Sequence, residues 1–252
     1  MITSPQNEKI KLTRALQDHA RTRRKEGKIV LEGARLVRDA LQQGLRPDFI
    51  LATPGSDSAF LATFGIEPLL VSDDIMRDVS DTQQPQGILG VFPMPTPTLL
   101  PDTSRIVILD SIRDPGNLGT ILRTGAAAGV EAVLLSPTCA DPYNPKALRG
   151  GMGAHFRVPV IESDWEHIAD YCYNKHIYVA DSEGDLAYDA ADWSSPWALI
   201  IGGEADGAGR SALALAQHRV YIPMAAATES LNAAIAAGVI LFEAARQQAL
   251  KS

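Results

Sequence analysis

Three short stretches of the sequence combine polar side chains with glycine or proline. The first is Asp110-Ser-Ile-Arg-Asp-Pro-Gly-Asn-Leu-Gly119, which runs into a helical segment containing Arg123. Pro115 and Gly116 enforce a turn there, and Asn117 is placed to cap the helix. Arg123 follows six residues later among apolar neighbours, where a guanidinium calls for an anionic or polar partner. The second is Ile200-Ile-Gly-Gly-Glu-Ala-Asp-Gly-Ala-Gly209. Its glycines let backbone groups approach a ligand closely, and Glu204 stands inside the cluster. The third is Val220-Tyr-Ile-Pro-Met224, followed shortly by Ser230-Leu-Asn232. Ser230 reads as a helix N-cap, whereas Asn232 is unexpected inside a first turn. Each stretch has a bland reading: a well-made turn, a flexible glycine loop, a capped helix. No GxGxxG and no phosphate-loop lysine occurs, so a dinucleotide or nucleoside triphosphate is not indicated.

All three loops follow apolar strands, at the edge where open α/β sheets bind their ligands. Arg105 to Asp110 is a run suited to a strand buried on both faces. Leu118 to Ala128 reads as a helix and Val130 to Ser136 as the next strand, the span of a βαβ unit. Further strands are expected at Phe156–Ile161, Ile177–Ala180, Ala198–Ile201 and Val220–Met224. A last helix is expected from near Ser230 to about Gln248, crowded with small residues from Ala233 to Gly238. Ahead of this, residues 93–104 hold four prolines, and 95–104 form a semi-rigid linker. Residues 1–94 then make a smaller α/β unit. In it, Ala34 to Gln43 is an amphipathic helix, and Phe49–Ala52, Leu69–Val71 and Ile88–Phe92 are short strands. Residues 105–252 form the larger domain.

The 252 residues are 46% apolar and 21% charged, which excludes a disordered tail. The longest apolar run, Leu231 to Phe242, is interrupted by Asn232 and too short to span a membrane, and Met1 to Leu12 lacks the apolar core of a secretory signal. Cys139 and Cys172 have no metal-ligand spacing, so no metal site is expected and a reducing, cytoplasmic setting is the default. The net charge of −7 is unevenly spread. Residues 1–28 carry eight basic groups against three acidic ones, net +5, and the other 224 residues carry −12. A basic face on an acidic body suits phosphate contacts, or is simply a solvated helix face.

Together the three loops resemble the signature motifs of the SpoU/TrmH family of RNA 2′-O-ribose methyltransferases, in the SPOUT superfamily. The matching text is Asp110 to Thr124, Ile201-Gly-Gly-Glu204, and Ile222-Pro-Met224 with Ser230-Leu-Asn232. Arg149 to Pro159 is similar to the family's connecting segment. Val30 to Ala40 and Gln86 to Val91 are similar to its N-terminal substrate-binding domain. The order and spacing cover nearly the whole chain. One departure is Gly203, where the family commonly has asparagine or alanine.

The resemblance implies a C-terminal α/β domain with a deep trefoil knot, a small L30e-like N-terminal domain, and a homodimer with cofactor sites beside the interface. It implies transfer of a methyl group from S-adenosyl-L-methionine to a ribose 2′-hydroxyl, a group found in RNA and not DNA. Gly202, Ile222, Met224 and Leu231 would contact the cofactor. Arg123 matches the family's catalytic arginine, with Asn117, Glu204, Ser230 and Asn232 around it. A guanidinium is an awkward base, so phosphate binding and charge stabilisation are the safer role for Arg123. Arg21, Arg23, Arg24, Lys25 and Lys28 would bind RNA phosphates, with Arg35 or Arg38 extending that surface. Ribosomal RNA is the expected target, with transfer RNA or a non-catalytic ribosome-assembly role as alternatives.

Overall fold

A computed structural model describes residues 1–225 and 230–251. It divides the chain into two compact units, residues 1–96 with 143–156, and residues 97–142 with 157–252. The first break lies inside the proline-rich stretch. Residues 143–156, expected from the sequence within the 105–252 domain, are instead part of the first unit.

The first unit begins with two helices, α1 (Glu8–Asp18) and α2 (Ala20–Glu26). Then come β1 (Lys28–Glu32), α3 (Ala34–Gln42), β2 (Phe49–Ala52), β3 (Leu69–Leu70), α4 (Asp73–Val79) and β4 (Ile88–Pro93). The sheet order is β1-β4-β2-β3, with β4 antiparallel to both neighbours and β2 parallel to β3. Strand alternation sends Ile29, Leu31, Ile50 and Ile88 to one face, against α3 residues Val37 and Ala40 and against Tyr143 and Leu148. Val30, Leu51, Leu89 and Val91 take the other face, with Ile10 and Leu16 of α1 and Ile75 and Met76 of α4. The segment 143–156 thus completes a core that residues 1–94 do not close alone. Arg149 adds an ion pair to Asp81 at 2.6 Å.

One expected RNA contact is corrected here. Arg23 is only 2% exposed, and its Nη1 donates to the carbonyls of Leu16 at 2.6 Å and Gln17 at 3.0 Å. Those carbonyls belong to the last turn of α1, which has no intrahelical donors left for them. Arg23 is a helix cap reached from α2. Lys28 is also engaged, pairing with Asp48 at 2.6 Å. That hydrogen bond, with help from the charges of Asp48 and Glu26 and against some burial, holds its ammonium above the ordinary lysine range. Arg21, Arg24 and Lys25 are exposed, and so is Arg35. Arg38 is half-buried, its guanidinium 4.4 Å from the centre of the Phe60 ring and 3.4 Å from Asp57.

The second unit is a seven-stranded parallel sheet. Its elements are β5 (Arg105–Asp110), α5 (Pro115–Ala127) and β6 (Ala132–Leu135), after which α6 (Pro145–Gly151) belongs to the first unit. Next come β7 (Val160–Glu162), α7 (Trp165–Cys172), β8 (His176–Ala180), β9 (Leu186–Ala187) and β10 (Trp197–Gly202). The chain finishes with α8 (Arg210–Leu215), β11 (His218–Tyr221) and α9 (Ala233–Ala249). The strand order is β7-β6-β5-β10-β8-β11-β9. The two central strands, β5 and β10, are buried almost end to end, as their unbroken apolar runs require. Both end at the same edge, in register from Arg105 opposite Trp197 to Asp110 opposite Gly202.

Several boundaries differ from the sequence reading. Phe156 lies in a 3-10 turn rather than in a strand, because that strand starts only at Val160. The strand expected at Val220–Met224 ends at Tyr221, leaving Ile222 to Met224 as loop. The N-cap of α9 is Asn232, whose Oδ1 accepts from the backbone N–H of Ala234 at 2.9 Å and Ile235 at 3.3 Å. Ser230 therefore does not cap it, and Asn232 is no misfit within the first turn. The cap of α5 is Asp114, accepting from Asn117 N at 2.9 Å, with Pro115 at the first helical position. That frees the Asn117 side chain for another task.

Candidate active site

The three loops meet at the C-terminal edge of β5 and β10. Asn117 sits one turn into α5 and joins them through its two amide atoms. Its Nδ2 donates to Glu204 Oε1 at 2.8 Å, and its Oδ1 accepts from Asn232 Nδ2 at 3.2 Å. Asn232 in turn caps α9. The result is one directional chain, from the start of α9 through two amides to a carboxylate on the glycine loop. Burial pushes the Glu204 carboxyl up, but the Asn117 amide and nearby backbone N–H groups of Glu204, Arg113 and Asp114 outweigh it. The net effect holds Glu204 below the ordinary glutamate range.

Beside this chain opens a cavity of about 510 Å³, within the range of small-molecule sites. Gly202, Ile222, Met224 and Leu231, the four residues expected to hold a cofactor, all line it, as do Glu204, Ser230 and Asn232. Gly202 to Ala208 form one continuous stretch of the wall. There Gly203 and Gly207 exchange two hydrogen bonds, at 3.0 and 3.1 Å, closing the loop on itself. A Cβ on Gly202 would lie 2.3 Å from the Gly207 carbonyl carbon and from the Ala208 nitrogen. A Cβ on Gly203 would lie 2.8 Å from the Ser111 carbonyl oxygen, so in this chain the departure at 203 matches a close backbone approach.

Arg123 is placed differently from expectation. The buried face of α5 is Leu118, Gly119, Ile121, Leu122 and Gly125, and Arg123 points away from it into solvent. Among the described residues it has no hydrogen-bond or ion-pair partner. Arg123 and Asn117 are not among the residues lining the cavity. The apolar context that made Arg123 look buried is one-sided, because a helix buries only a stripe.

Sequence reasoning passed over Asp181, Glu183 and Arg219, which line the far side of the cavity. Arg219 binds Asp181 through Nε at 3.0 Å and Nη2 at 2.6 Å. These residues come from the ends of β8 and β11, which are adjacent only once the sheet has formed. Asp114 was also missed as a cap, although an aspartate directly before proline at a helix start is the signal for one.

Residues 104–242 match the profile of the SpoU rRNA Methylase family, and residues 7–90 match the MRM3-like substrate binding domain. The chain belongs to the SpoU rRNA methylase family. It is 34% identical to the mitochondrial rRNA methyltransferase 3 of Mus musculus, over 91% of this chain and 70% of that protein. It is 32% identical to the 23S rRNA (guanosine(2553)-2′-O)-methyltransferase RlmP of Bacillus subtilis, over 96% of this chain and 97% of that one. Among solved structures, it resembles the SpoU methyltransferase AviRb of Streptomyces viridochromogenes in complex with AdoMet. The TM-score is 0.88 at 26% identity, over 97% of this chain and 99% of that one. An AdoMet-bound rRNA methyltransferase of Sinorhizobium meliloti is similar with a TM-score of 0.87 at 29% identity, over 97% of both chains. The α/β fold with its parallel sheet is thus that of SpoU methyltransferase structures.

Proposed function

We propose that the chain transfers the methyl group of S-adenosyl-L-methionine to a ribose 2′-hydroxyl of ribosomal RNA. The observation that carries this reading is the cavity walled by Gly202–Ala208, Ile222, Met224 and Leu231, with the Asn117 bridge at its side. A Cβ on Gly202 would collide with the Gly207 and Ala208 backbone, so glycine there lets the loop close into a wall whose main-chain groups can face a ligand. When bound, S-adenosyl-L-methionine supplies a methyl already activated on a sulfonium.

The chain's own residues would then bind and orient. Gly202, Ile222, Met224 and Leu231 hold the cofactor, largely through main-chain groups. Asn117, Glu204 and Asn232 keep the three loops at one spacing, so that donor and acceptor meet in a fixed geometry. Ser230, exposed at the cavity rim, is placed to contact the incoming ribose. Arginine acts as a base only where burial without an anion disfavours its charge, and Arg123 is exposed. Its assigned role is to grip the phosphate beside the target ribose and stabilise charge as the hydroxyl oxygen loses its proton. Arg21, Arg24 and Lys25 would make sequence-independent phosphate contacts.

The reading extends to a homodimer. Ile235 and Phe242, seven residues apart on one stripe of α9, are each 55% exposed, an apolar face that a second copy would cover. It extends also to a knotted C-terminal path, which rests on the family resemblance. A cytoplasmic location completes the reading. No helix among the described residues is long and apolar enough to cross a membrane.

The experiment is to map ribose methylation in RNA from cells with and without this protein. Loss of one 2′-O-methyl site in ribosomal RNA is expected. Loss in transfer RNA would move the substrate, and no loss, together with no calorimetric binding of S-adenosyl-L-methionine, would leave a non-catalytic RNA-binding role.

A further inference from the structure

We infer that Asp110, the last residue of β5, is a positioning residue for the methyl-donor cavity, anchoring its glycine wall through the Gly209 amide. This rests on the cofactor reading above. Asp110 is 4% exposed and does not line the cavity. Its Oδ2 accepts from Gly209 N at 2.7 Å, across 99 residues of sequence. Its Oδ1 accepts from the hydroxyls of Ser136 and Ser111, each at 3.2 Å. Ser136 is itself buried, and its Oγ also accepts from Ser111 N at 3.2 Å.

Glu204 ties the middle of the loop between Gly202 and Gly209 to Asn117 and to the Arg113 and Asp114 amides. Glu204, Ala205, Asp206 and Gly207 are exposed, so little apolar burial holds them. At its start it is continuous with β10, and across its neck Gly203 pairs with Gly207. At its far end the tie to the sheet is the Gly209 amide on Asp110. A hydrogen bond at a buried site is directional and costly to leave unmade. The left-handed backbone of Ser111, at φ 61°, is uncommon for a residue with a side chain. It turns the chain immediately after Asp110, where the Ser111 carbonyl approaches Gly203. Asp110 therefore fixes the far end of the cavity wall from outside the cavity.

The test uses the full-length protein and three variants. Asp110→Asn keeps an acceptor for the Gly209 amide and can donate its NH2 to Ser136 or Ser111, so it is the conservative replacement. Asp110→Ala removes the anchor. Gly209→Pro breaks the same hydrogen bond from the loop side, its ring carbon replacing the N–H that faces Asp110 Oδ2, and the φ of −73° at Gly209 suits proline. Calorimetric titration with S-adenosyl-L-methionine is expected to show Kd raised about tenfold or more in the alanine and proline variants, a loss of ~1.4 kcal/mol, and restored to within about threefold in the asparagine variant. Hydrogen exchange without cofactor should speed up in residues 202–209 of the alanine and proline variants and stay unchanged in β6 and β8. Unchanged exchange in 202–209, or acceleration spread evenly over the sheet, overturns the proposal, because Asp110 then does nothing local. If the unsubstituted protein binds no S-adenosyl-L-methionine, the cofactor reading fails, and the exchange pattern still judges the anchor.

Discussion

The basic N-terminal segment and the three-loop site were both read from side-chain type, yet the structure treats them differently. At the site, Asn117, Glu204 and Asn232, up to 115 residues apart, come into one hydrogen-bonded chain. In the segment, five neighbouring cations scatter to different tasks. Arg23 turns inward to cap α1, Lys28 pairs with Asp48, and Arg21, Arg24 and Lys25 are exposed. A hydrogen-bonding constellation at strand ends is a geometric requirement that few arrangements satisfy. A run of charge is only a total, and in a helix successive residues point about 100° apart, so adjacent arginines face different surroundings.

The comparison would be sharpened most by Arg123→Ala. If the exposed guanidinium grips the RNA at the reacting centre, turnover should fall by about 10²–10³ while cofactor Kd stays within about twofold. Near-normal turnover would leave the site without its phosphate anchor. Gly202→Val should act in the opposite sense, since its side chain has no room beside Gly207 and Ala208. Cofactor Kd should rise by roughly 10–100-fold, the equivalent of an overpacked site. RNA affinity measured without cofactor should be unaffected.

The segment is tested by splitting it. Arg23→Ala should lower stability by about 2–3 kcal/mol, because two carbonyls of α1 lose a charged donor in a buried position. It should leave the salt dependence of RNA binding unchanged. Neutralising Arg21, Arg24 and Lys25 together should do the reverse, reducing the slope of log affinity against log salt by roughly 2–3 with little change in melting temperature. Equal effects from both variants would erase the distinction drawn here.

The smallest expected effect concerns pH. The Glu204 carboxyl is held below its ordinary value in the folded protein. Its contribution is therefore complete above the ordinary glutamate range and lost as pH falls through the depressed value. Acid unfolding of Glu204→Gln should show a shallower dependence in that window. An identical profile would mean that the Asn117 contact does not favour the charged form.

Much of the fold was legible in advance. The runs Arg105–Asp110 and Ala198–Ile201 are apolar without alternation, and they became the two central parallel strands. Helix α3 differed from expectation by one residue, as its apolar spacing and Gly44 allowed. Illegible features share a different cause. Asn232 looked like a poor helix interior residue and Ser230 a good cap, because the two choices differ by only two positions in the sequence. Only hydrogen bonds to Ala234 and Ile235 decide between them. Residues 143–156 read as part of the second domain because the chain is continuous there. Their apolar residues Tyr143 and Leu148 nevertheless complete the core of the first unit.

By itself, then, the sequence determined which strands are central, which loops leave their C-terminal ends, and which residue types those loops offer. These depend on local pattern, which a linear text records. Tertiary structure alone decided that Asn117 bridges rather than caps, that Arg23 is buried while Arg24 is exposed, and that Asp110 reaches Gly209. Those outcomes depend on which buried donors and acceptors are left unpaired after the sheet assembles, and that count exists only once distant strands are side by side.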